Sequence, residues 1–129
     1  MKFTKKTLPI ALLWLVLAGT AVSADVDVDA DLMRGVDDTA KSLDSNVAQK
    51  YGKAAAADAR SLVETFAQVE AHYGAKPETV DAVGFAHHTQ DLAAQALKAI
   101  EANDFDAAGE AVNQLTRSCK TCHEVYKKD

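Results

Sequence analysis

From residue 30 onward, apolar side chains recur at steps of three and four. Met33, Val36, Ala40, Leu43 and Val47 fall on one stripe, widened by Leu32, and predict a helix from about Ala30 to Gln49. The pattern breaks around Tyr51-Gly52. It resumes from about Ala54 to Tyr73, where Ala59, Leu62, Phe66, Val69 and Tyr73 share a face and Gly74 is placed to end the helix. Lys76-Pro77-Glu78 makes the next connection. Thr79 is the expected N-cap of a third helix that carries Val80, Val83, Phe85, Leu92, Ala96 and Ile100 and fades near Asn103. Asp104 is placed to cap a fourth, whose face carries Phe105, Ala108, Val112, Leu115, Cys119 and Cys122 before Tyr126 closes it. No strand is called for.

Four helices of similar length joined by short connections predict an all-α fold, an antiparallel up-down-up-down four-helix bundle, because each short turn makes its two helices antiparallel neighbours. The start of the first helix, the end of the second, the start of the third and the end of the fourth then share one end of the molecule.

The fourth helix carries the chemistry. Cys119-Lys120-Thr121-Cys122-His123 uses both cysteines of the chain and has the spacing of a c-type haem attachment site. Two thiols can each add across a vinyl group of the porphyrin, and an imidazole beside them can take an axial position on the iron. On a helix the three residues stand at i, i+3 and i+4 and face one side. A thioredoxin-like redox pair has the same cysteine spacing but sits beside a βαβ pattern, which is missing here. Structural zinc needs further ligands, and no second Cys or Cys/His pair accompanies this one. A disulfide or an incomplete metal site remains the alternative to haem.

At about 1.5 Å per residue, His123 lies roughly 6 Å inside its helix end and Met33 roughly 5 Å inside the start of the first helix. Their levels match. His87 and His88 lie roughly 13 Å into the third helix, too deep to reach the same iron; His88 falls on the apolar stripe and is expected to bond to a neighbour. His72 is expected to be exposed. The stretch Asp25 to Asp29 reads as a frayed, solvated start, since it lacks the glycine and distant glutamate of an EF-hand.

The N-terminus sets the compartment. Lys2, Lys5 and Lys6, the apolar run Leu8 to Ala18 and the small residues of Val22-Ser23-Ala24 read as a secretory signal peptide over residues 1–24. The apolar run is too short for a membrane anchor, which needs about 20 residues. Cleavage leaves 105 residues, 25–129, enough for one domain, with no disulfide framework and no membrane anchor. It also removes three lysines and lowers the formal charge from −5 to −8, which disfavours nucleic acid and anionic membranes as partners. An acidic surface suits a basic redox partner and equally serves solubility.

The attachment motif near the C-terminus, the four-helix pattern and the signal peptide together resemble the class II cytochromes c, the cytochrome c prime family and its low-spin relatives. The resemblance covers Asp25 to Asp129, but its specific part is Cys119 to His123 with the trailing Tyr126 and Lys127. It implies a periplasmic protein with one haem c held covalently by Cys119 and Cys122, with His123 as the proximal iron ligand and Lys127 bordering the proximal side. Relatives with a methionine from the first helix on the iron carry electrons; others leave the sixth site open and bind nitric oxide or carbon monoxide. Met33 is the methionine of the mature chain placed for the first role, although it also suits a flexible core filler. The expectation is therefore a non-enzymatic electron carrier with a His123/Met33 iron that serves redox partner proteins and forms a possible homodimer. The alternatives are a five-coordinate gas-binding protein and a haem-free helical bundle with free thiols.

Overall fold

The computed structural model describes residues 27–126. The expected signal peptide, its cleavage point and Lys127 lie outside this range. Four helices follow one another, α1 (Ala30–Ala48), α2 (Gly52–Gly74), α3 (Val80–Glu101) and α4 (Phe105–Tyr126), with a single 3-10 turn at Pro77–Thr79 between α2 and α3. No strand occurs among the described residues. Each helix packs on its neighbours in sequence and α4 closes back on α1, giving the expected four-helix bundle.

The helix ends follow local chemistry, in places different from that expected. Asp29 is not part of a frayed start: its carboxylate accepts from the backbone N–H of Asp31 (3.0 Å) and Leu32 (2.8 Å) and caps α1. Asp104 caps α4 as expected, accepting from Ala107 N–H at 3.0 Å. Thr79 takes the N-cap position of α3 as expected, but its side chain makes no cap bond there. Its hydroxyl instead faces the carbonyls of Tyr73 (3.0 Å) and Lys76 (2.9 Å), which share its proton at the end of α2. The two turns at the far end each pass through a left-handed residue that is not glycine, Lys50 (φ 57°) and Asn103 (φ 56°). The chain reverses at Lys50, which is why α2 begins at Gly52, two residues before the expected start.

The core is apolar from all four helices. Leu43, Leu62, Leu92, Leu115 and Val112 are its largest fully buried side chains. On α3 the buried stripe is Ala82, Ala86, Thr89, Leu92, Ala93, Ala96 and Ile100, whereas Val80, expected on that stripe, is 73% exposed. The small residues have a packing reason. Ala55, Ala56 and Ala59 of α2 are buried as well, and α2 and α3 form the most extensive helix pair, which short side chains allow by close approach. Arg60 reaches Glu101 at 2.7 Å between the same two helices. Asp58 accepts from Ser42 (2.7 Å) and Asn46 (2.8 Å) and ties α2 to α1.

Candidate functional site

The seam between α1 and α4 is the least extensive of the four side-by-side pairings, and it is where the chemically distinctive residues meet. Cys119 is half-buried on α4 and packs against the core, as do Leu32 and Met33 from the first turn of α1 and Val28 just before it. Burial pushes the Cys119 thiol above its ordinary range, helped by Cys122 beside it and, more weakly, by Asp37. Asp37 stands one turn along α1 from Met33. Cys122 is also half-buried and free, and burial raises its thiol too.

His123 follows on the same side of α4 and is exposed. Around this end stand three aromatic rings. Tyr126 of α4 lies 6.3 Å from Tyr73 of α2 and 6.5 Å from Phe85 of α3, between ring centroids. Burial raises the Tyr73 phenol, and Cys122 and Tyr126 add to the effect, so Tyr73 borders the second cysteine. Val69 and Phe66, buried about one and two turns before the end of α2, continue the apolar wall.

The structure therefore brings Cys119, Cys122, His123 and Met33 to one end of the bundle. The other histidines stay apart. His87 is exposed and bridges Glu70 (3.2 Å) and Asp91 (3.5 Å). It is His87, not the expected His88, that bonds to neighbours. His88 is exposed and, with Phe85, Gln114, Arg117, Ser118 and Thr121, lines an open cleft of about 400 Å³ between α3 and α4. Two residues turn an α-helix by about 200°, so Thr121 and this cleft lie on the side of α4 away from His123. His72, expected exposed, is half-buried, bonded to Lys76 Nζ at 2.8 Å and edge-on to Tyr73.

The donor set fits a covalently held haem. Two free thiols and an imidazole share one side of a helix turn, the Met33 thioether stands at the same end of the bundle, and apolar and aromatic side chains lie near the cysteines. Among the described residues no group of three or more His, Cys, Asp or Glu side chains is arranged to hold a bare metal ion. No helix among them is long and apolar enough to cross a membrane.

One feature near the motif carries no periodic signal. Thr89 and Ser118 are buried and bonded to each other, Oγ1 to Oγ at 2.7 Å, immediately before Cys119. A serine or threonine on an apolar face reads as a small core residue, and only the three-dimensional pairing of residues 29 positions apart reveals the bond.

Comparison with protein families matches residues 25–127 to the family described as Cytochrome C′. No curated protein and no solved structure matches the chain.

Proposed function

The chain belongs to the cytochrome c′ family, and on that premise we propose that it is an exported electron carrier with one covalently held haem c between His123 and Met33. Family membership implies a monohaem c-type cytochrome. Such proteins are generally non-enzymatic, typically periplasmic and often dimeric. In this reading residues 1–24 are the export signal and 25–129 the mature domain.

When bound, haem c supplies reversible one-electron chemistry at its iron. Cys119 and Cys122 would hold it through thioether bonds, each formed by adding S–H across a vinyl group with all atoms retained. His123 would give an imidazole nitrogen to the iron and Met33 a thioether sulfur, a soft donor that would favour the ferrous state and raise the potential. Leu32, Phe66, Val69 and Tyr73 keep water from the pocket, which further shapes that potential. No acid/base pair or nucleophile stands beside the motif, so these residues serve electron transfer to partner proteins rather than conversion of a substrate.

The observation that supports the reading is the position of Met33: half-buried and packed on the core in the first turn of α1, at the end of the bundle where α4 also ends. Optical spectra of the exported protein test it. The expected result is a low-spin ferric form that becomes high-spin in Met33→Ala. A high-spin native protein that binds carbon monoxide without displacing a ligand turns the reading to the gas-binding alternative. A polypeptide mass without added haem, from cells with working maturation machinery, removes both.

A further inference from the structure

Thr89 and Ser118 are the buried polar residues among those described, at 2% and 6% exposure. Thr89 Oγ1 donates to the carbonyl of Phe85 one turn back, at 2.8 Å. Its single proton is thereby used, so at the 2.7 Å contact Ser118 is the donor and Thr89 the acceptor. The result is a directed chain from α4 to α3: Ser118 hydroxyl, Thr89 hydroxyl, Phe85 carbonyl. Thr39, Thr116 and Thr121 donate to carbonyls four residues back on their own helices, and Ser42 crosses to Asp58 at the exposed surface, whereas Ser118 reaches a neighbouring helix inside the core.

The location of the bond gives it a consequence. Ser118 immediately precedes Cys119, and five residues, about 7.5 Å of helix, separate it from His123. Beyond the motif the Tyr126 ring packs against Phe85, the residue whose carbonyl ends the hydroxyl chain. The attachment segment is thus bracketed on both sides by contacts to one turn of α3. Apolar side chains resist sliding along a bundle only weakly, whereas a buried polar pair is satisfied in one register.

The geometry points to Thr89 and Ser118 as positioning residues that set the height of the attachment segment against α3, and so of His123 relative to Met33. This rests on the His123/Met33 reading above. With the pair broken, α4 is free to shift and the Met33 bond to iron weakens.

The test uses the exported holoprotein with Thr89→Val, which keeps the shape and removes the hydroxyl, and Thr89→Ser, which keeps the hydroxyl. In Thr89→Val, carbon monoxide binding to the ferrous protein, which must displace Met33, is expected to accelerate about fivefold, the factor one hydrogen bond contributes. The iron–His123 stretch of the photolysed carbonyl form is expected to shift. Thr89→Ser should restore both. A Thr89→Val protein that only melts earlier, with native binding rate and stretch, overturns the proposal, as does failure of Thr89→Ser to rescue. Ser118→Ala serves the same comparison if Thr89→Val does not accumulate. A high-spin native spectrum removes Met33 from the iron yet leaves the His123 stretch to decide the register, and absence of haem in the native protein overturns both readings.

Discussion

The α2–α3 pair and the α1–α4 seam are built from the same kind of helix and put to opposite uses. Between α2 and α3, alanines bring the backbones close, and the Arg60–Glu101 ion pair crosses the outside. Between α1 and α4 the contact is the slightest, and the residues there are long or reactive: Leu32, Met33 and Cys119. The proposed haem would enter where the contact is slightest, while the tight α2–α3 pair holds the bundle together without it.

The sharpest way to break this contrast is to overfill the tight pair. Ala59→Leu, at a fully buried position on α2, is expected to cost about 1–3 kcal/mol of stability in thermal or denaturant unfolding. The same enlargement at the half-buried Ala40 on α1 should cost less than half as much. Equal losses at the two sites would mean that the seams do not differ. A smaller effect sharpens the other side. Removing the α1 cap with Asp29→Ala should cost about 1 kcal/mol and, because it frays the turns that carry Leu32 and Met33, should also raise the high-spin fraction of the ferric spectrum. The smallest effect lies at the far end, where Lys50→Gly relieves a left-handed lysine and should stabilise by about 1 kcal/mol with no change in the spectrum.

Much of this was legible in the chain itself. The steps of three and four among Val36, Leu43, Val47, Leu62, Phe66, Val69, Leu92, Ile100, Val112 and Leu115 marked four helices, and short connections ordered them. Spacing and helix rise also put Cys119, Cys122, His123 and Met33 at one end of the bundle, where the structure has them; their roles at a haem are the proposal above. Three things were not legible, each for a physical reason. On α3, Leu92, Ala96 and Ile100 are buried as expected, but Val80 is exposed and Ala82 and Ala86 are buried in the first turns, because hydrophobicity ranks valine above alanine while a tight helix pair selects for small volume. The side chains of Thr79 and Asp29 were misread because the same oxygens can serve a turn, a cap or solvent, and the choice depends on where the neighbouring backbone N–H and C=O groups end up. The Thr89–Ser118 bond joins residues from different helices, and periodicity carries no information on such pairs.

The attachment segment lies in the last of the four helices. A chain cut short before residue 119 therefore loses both thiols and His123 while keeping α1, α2 and α3 and the alanine-lined contact whole.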